Sequence, residues 1–279
     1  MTPSIKSVFT AYTEEGQGER DSALGYALSL AEQAGAHLTI QAAAMRYAVP
    51  ASFVGDFGTA FVNAENRRIS ALAERFAAHA KTSVDLAGVS STIETPQLVY
   101  AELAGRLVSE ARVHDLSVLD VEKDAAERDR GLIEAALFDS GRPVIIVPPG
   151  AETFSAGRIL IAWDGSAGAA RAVAETRPFL KGAEVEILSV TGEKDLSRLV
   201  AGAELAPHLA RHGASVTVRN LALSGGNDVA ETIRQAATDF RADLIVCGAY
   251  KHSRLREWLL GGVTQSLLAS TPVPLLMSR

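Results

Sequence analysis

The chain has 279 residues, 47% hydrophobic and 22% charged, with a net charge of −6 at neutral pH. That length suits two domains of ordinary size, and the acidic balance gives no electrostatic reason to expect nucleic acid or an anionic membrane as a partner. Cys247 is the only cysteine, which excludes an intrachain disulfide and a cysteine-built zinc cluster and fits a reducing cytoplasm. No apolar run approaches the ~18 residues of a membrane span, and residues 1–8 lack the apolar core of a signal peptide. The six histidines read as scattered, with no ligand pair among them, so metal chemistry is set aside.

In chain order, Ile5 to Ala11 is an apolar-leaning strand, and Leu24, Leu28 and Ala31 mark a first helix. Tyr47 to Gly58 reads as a long connection bearing glycines and aromatics. Leu103, Leu107 and Ala111 mark a helix ahead of a strand at Leu116, and Val144 to Val147 closes the half as another strand. Proline and glycine between Pro148 and Gly157 make a natural linker. The second half restarts with a strand at Arg158–Trp163 and a helix over Gly168–Leu180 that Pro178 disturbs late. A strand at Ala183–Val190 follows, then a helix over Asp195–Arg211 and a strand at Ser215–Leu221. Asp228 caps a helix whose apolar face is Val229, Ile233, Ala236 and Phe240. The apolar strand Leu244–Cys247, a helix from Val263 to Leu268 and a strand from Val273 to Met277 complete the chain.

The halves answer each other. Asp115 and Asp243, each just before an apolar strand, lie 128 residues apart; Pro143 and Pro272, each before a closing strand, lie 129 apart. Alternating strands and helices without in-strand alternation predict an α/β fold with covered parallel sheets. The expectation is two tandem doubly wound domains, residues 1–150 and 157–279, each a five-stranded parallel sheet with flanking helices. The closing strands Val144–Val147 and Val273–Leu276 are apolar edges that invite pairing into an internal pseudo-dimer.

Ligands of such sheets bind beyond the carboxyl ends of the strands. In the second half those ends carry Asp164-Gly165-Ser166, Val190, and a loop from Gly248 through Lys251 to Gly261, Gly262 and Val263. Glycine at a strand-to-helix turn lets backbone N–H groups approach an anion, and the helix start favours phosphate. Taken alone, Asp-Gly is a common turn dipeptide.

The Asp-Gly-Ser after the first strand, Gly248 after the fourth and the Gly-Gly-Val-Thr ahead of Pro-Val-Pro-Leu-Leu resemble the universal stress protein family. The resemblance implies a Rossmann-like fold of the adenine nucleotide alpha hydrolase type, and a family in which some members bind ATP and many do not. The family's motif is Gly, two residues, Gly, nine residues, Gly, then Ser or Thr. Here Gly248 and Gly261 keep the spacing, but Lys251 replaces the second glycine and Gly262 the hydroxyl residue. The nucleotide-site residues implied are thus Asp164, Val190, Gly248, Lys251, Gly261, Gly262 and Val263. Asp120 stands in the first half where Gly248 stands in the second, so no nucleotide is expected there. Cys247 reads as a buried structural thiol. Three functions stay open: a stress-response protein holding ATP in its second domain, a ligand-free interaction module, and a weak nucleotide hydrolase. No organised base or nucleophile favours the last.

Overall fold

The computed structural model describes residues 4–12, 22–47, 56–121, 127–191, 202–223, 228–249 and 262–279. The first lobe contains β1 (Ser7–Tyr12), α1 (Ser22–Ala34), β2 (His37–Ala42), β3 (Ala44–Met45), α2 (Asp56–Ala87), β4 (Ser91–Glu94), β5 (Gln97–Leu98), α3 (Tyr100–Val113), β6 (Leu116–Asp120), α4 (Glu127–Asp139) and β7 (Val144–Val147). The second contains β8 (Arg158–Ala162), α5 (Ala167–Glu175), β9 (Glu184–Thr191), α6 (Leu205–Arg211), β10 (Ser215–Ala222), α7 (Val229–Phe240), β11 (Leu244–Gly248), α8 (Gly262–Ala269) and β12 (Leu275–Ser278).

Ten strands form one sheet in the order β10-β9-β8-β11-β12-β7-β6-β1-β2-β4. It is two parallel five-stranded halves of identical order, third-second-first-fourth-fifth counting within each lobe. One antiparallel contact joins them, with Leu275 opposite Ile146, Leu276 opposite Ile145 and Met277 opposite Val144. The strands read as pairing edges do pair. The two lobes remain distinct in topology although the sheet is continuous.

The aspartates that revealed the repeat do the same work in each lobe. The Asp115 carboxylate accepts from the N–H groups of Lys6 at 2.7 Å and Ser7 at 3.0 Å. The Asp243 carboxylate accepts from the Arg158 N–H at 2.9 Å. In return the Asp115 N–H donates to the Ser7 carbonyl and the Asp243 N–H to the Arg158 carbonyl. Each aspartate therefore ties the start of the fourth strand of its lobe to the start of the first.

Three local expectations shift for identifiable reasons. The helix read over Gly168–Leu180 ends at Glu175 and tightens into a 3-10 turn at Arg177–Phe179, because Pro178 has no N–H to continue the ladder. The connection read over Tyr47–Gly58 is already helical from Asp56, the start of the 32-residue α2. Beyond the five strands expected of the first lobe, β3 and β5 form a separate parallel pair. They prolong β2 and β4 past a break at which Pro96 accepts from Ala44 but has no N–H to donate. Of the helix read over Asp195–Arg211, residues 195–201 lie outside the described residues.

The cores follow the faces of the sheet rather than the lobes. One apolar cluster unites Leu24, Leu30, Leu38, Ile145, Ile159, Ile187 and Leu276, under α1, α2, α5 and α6. The other unites Phe9, Leu103, Leu107, Ile146, Leu160, Ile233, Leu267 and Leu275, under α3, α4, α7 and α8. The linker adds an aromatic tie. Phe154 meets Tyr26 edge-on at 5.5 Å and Phe179 at 5.1 Å, one ring in each lobe. Burial of the Tyr26 hydroxyl, with a smaller contribution from the Asp243 charge, raises its pKa well above the usual tyrosine range.

Two outcomes test this frame by denaturant unfolding. Ile146→Lys puts a charge where exposure is zero, so a loss of ~4 kcal/mol or more is expected together with a larger hydrodynamic radius. Asp115→Ala and Asp243→Ala should each cost about 1.5–3 kcal/mol, the range for hydrogen bonds to a charged partner, with Asp115 the costlier because it holds two N–H groups.

Candidate functional site

The strand order of each lobe reverses between its first and fourth strands, the point at which connections depart to opposite faces and leave a crevice at the carboxyl ends. In the second lobe those strands are β8 and β11, paired with Cys247 opposite Ala162. Asp164 follows β8, and Gly248 ends β11. Val190 lies near the end of β9, the other neighbour of β8. The topology therefore gathers Asp164, Val190 and Gly248 at one end of three adjacent strands. Gly262 and Val263 open α8, and Val263, Val190 and Ala162 pack on the same apolar cluster. Lys251 and Gly261 lie outside the described residues.

The turn after β8 is built locally. Gly165 has a φ of 71°, a left-handed conformation that glycine adopts without strain. The Asp164 carboxylate accepts from the Ser166 N–H at 2.9 Å, and the Ser166 hydroxyl caps α5 by accepting from the Ala169 N–H at 3.1 Å. The Cys247 thiol is pushed up to about 12, chiefly by burial and secondarily by the Asp164 charge. That second cause puts the Asp164 carboxylate within electrostatic reach of the end of β11. The same shift keeps Cys247 a protonated, inert thiol, as its place in an apolar strand implies.

Gly248 has a reason of its own to be glycine. A Cβ there would stand 2.4 Å from the Ala169 nitrogen and 2.6 Å from the Gly168 carbonyl carbon. The missing side chain lets the first turn of α5 sit directly on the tip of β11. This packing demand accounts for the residue whatever approaches the loop beyond it.

At the corresponding place in the first lobe Asp120 ends β6, and its carboxylate accepts from the Ala23 N–H in the first turn of α1 at 2.8 Å. Ser22 and Gly150 close the same corner, the Gly150 N–H donating to the Ser22 hydroxyl at 2.9 Å. The helix start that would receive an anion in this lobe already holds one, supplied by the chain.

Two features escaped the reading of the sequence. A cleft of about 560 Å³ lies between α2 and the β3·β5 pair, walled by Arg46, Asn63, Asn66, Arg67 and Gln97 among others. It belongs to the first lobe and lies away from the crevice described above. The histidines are also not all scattered: His208 and His212 stand four residues apart, the spacing that puts two side chains on one helical face. Burial, and then the charges of His212, Arg177 and Arg211, lower the His208 pKa. Among the described residues no group of three or more histidine, cysteine, aspartate or glutamate side chains is placed to hold a metal ion, and no helix is long and apolar enough to cross a membrane.

Residues 156–279 match the sequence profile of the Universal stress protein family. Among solved structures, a universal stress protein from Archaeoglobus fulgidus superposes with a TM-score of 0.68 at 16% identity, over 98% of this chain and 96% of that one. A functionally unknown protein from Pseudomonas aeruginosa gives 0.60 at 16% identity, over 98% and 92%. At these identities the likeness is one of fold, and it runs the length of the chain through both lobes. No curated protein matches the chain in sequence. The chain thus carries a universal stress protein domain at residues 156–279, behind a first lobe of the same α/β fold.

Proposed function

We propose that this protein is a non-catalytic binding module of the stress response whose second lobe holds an adenine nucleotide, ATP above all, and whose first lobe is a built-in pairing partner that holds none. The observation that carries this reading is the contrast between the two strand tips. Asp120 fills the first with a carboxylate, whereas Gly248 leaves the second without a side chain and the helix beside it is capped by the uncharged Ser166. Among the described residues the start of α1 is hydrogen-bonded by a carboxylate from the end of its lobe's fourth strand, and Gly248 offers none to the start of α5. The first turn of α5 fills the space at Gly248 itself, so an anion sits beyond it in this reading, against the start of α8 at Gly262 and Val263, where it gains from backbone N–H groups and from the positive end of that helix.

In this reading Asp164 accepts from a ribose or base, and Val190 and Val263 supply apolar contact. Gly248, Gly261 and Gly262 line the phosphate path with backbone, and Lys251 meets a phosphate as a point charge. The lone cysteine, buried and protonated, fits a reducing cytoplasm.

A second reading, a ligand-free interaction module, draws on the seam between β7 and β12, which consumes one edge of each half-sheet whether or not a nucleotide binds. The third, slow hydrolysis, lacks an organised base among the described residues.

Titration of the full chain with ATP, paired with assay of nucleotide released on denaturation, separates them. One saturable equivalent per chain is expected, weakened ~10-fold or more in Asp164→Ala by loss of a charge-assisted hydrogen bond. Two equivalents would contradict the closed first lobe. No binding to wild type or to Lys251→Gly would leave the interaction module, and ATP turnover lost in Asp164→Ala would make the protein a hydrolase. Gly248→Ala reports on packing instead: a loss of about 1–3 kcal/mol is expected with no nucleotide present, measured by thermal unfolding.

A further inference from the structure

The histidines of this chain divide by what their rings already do. Both nitrogens of His37 are engaged, with Ser90 at 2.8 Å and Thr92 at 3.0 Å. Those of His114 meet the Glu110 carbonyl at 2.6 Å and Thr39 at 2.8 Å. His208 and His212 differ. His208 lies in the last turn of α6 and His212 is its C-cap residue. Among the described residues neither imidazole has a hydrogen-bond or ion-pair partner. Their ring centres are 4.8 Å apart and their planes cross at 69°.

That geometry fits a shared ion. Two imidazoles bound to one tetrahedral metal through ~2.0–2.1 Å bonds have ring centres roughly 5 Å apart. The crossed planes keep the pair from stacking. His208 is exposed and His212 half-buried, so an ion has access from solvent.

The neighbours set the class of ion. Arg177 and Arg211 act on His208 with positive charge, which opposes any cation held by charge alone. Ions whose gain comes from nitrogen bonds tolerate that field, while oxygen-seeking Mg²⁺ and Ca²⁺ find no carboxylate grouped with the pair. Glu204, one turn earlier, forms no three-ligand group with the two rings, so water completes the coordination.

We propose that His208 and His212 form a two-imidazole site for a divalent transition metal of the Cu²⁺, Ni²⁺ or Zn²⁺ class, clamped across the last turn of α6. The site lies outside the nucleotide crevice and stands independently of it. Its ligation would staple a helix of only seven residues, which is short for a helix held by its own hydrogen bonds.

The test uses the full chain stripped with a chelator and titrated calorimetrically with CuCl₂, NiCl₂ or ZnCl₂, with MgCl₂ as control. One saturable equivalent is expected for the transition metals and none for Mg²⁺. His208→Gln and His212→Gln should each weaken binding by more than about tenfold, a loss already reached when residues that merely support metal ligands are changed. His79→Gln, an exposed histidine elsewhere on α2, should bind as wild type does. Because His208 and His212 make no other polar contacts among the described residues, both variants should keep the metal-free circular dichroism spectrum of wild type. In NMR spectra Ni²⁺ should broaden the two imidazoles before any other. No saturable site in wild type, or full affinity in His208→Gln or His212→Gln, would overturn the proposal.

Discussion

Where β7 meets β12, Val144, Ile145 and Ile146 face Leu275, Leu276 and Met277 across an antiparallel ladder, and none of the six has measurable exposure. Each such side chain contributes roughly 1.5–3 kcal/mol when taken out of water. Their alternation sends Ile145 and Leu276 to one core, and Ile146 and Leu275 to the other. A single pair of short strands thereby makes both cores continuous from lobe to lobe. The relative placement of the lobes, the position of the linker over Tyr26 and Phe179, and the fixed direction of the two crevices all depend on that contact.

The two lobes show how one topology is filled differently. Both place a first-turn helix N–H beside the tip of the fourth strand. In the first lobe a carboxylate spans the gap, and in the second a glycine closes it by letting the helix move in. The first arrangement satisfies the helix start from within. The second leaves helix capping to a neutral hydroxyl two residues past Asp164. The two lobes thus differ at a position where one side chain decides whether a carboxylate or a close helix contact fills the strand tip.

Much of this was legible in the sequence because it rests on backbone requirements. Asp115 and Asp243 stood at matching offsets since each must tie two strand starts, and Ile233, Ala236, Leu103 and Leu107 fall on buried helical faces as their spacing implied. Pro178 announced a disturbance but not its form. The β3·β5 pair was illegible, because two residues carry no periodicity, and a break made by Pro96 looks in sequence like the end of a strand. For the candidate site the strand tips were placed correctly by Asp164, Val190 and Gly248. The reason for Gly248 was not visible, since the atoms it avoids belong to α5, some eighty residues earlier. The His208–His212 spacing was there to be read and was missed.

The linker from Pro148 to Gly157 and the seam together carry a liability. When the seam opens, two bare apolar edges are released, and each finds its complement on any other copy of the chain as readily as on its own. At high concentration, transient opening therefore leads toward reciprocal exchange of lobes between molecules, a domain-swapped dimer built from the same strand pairing. The aromatic contacts of Phe154 with Tyr26 and Phe179 hold the connecting segment against that outcome, so the linker favours pairing within one chain as well as tethering the lobes.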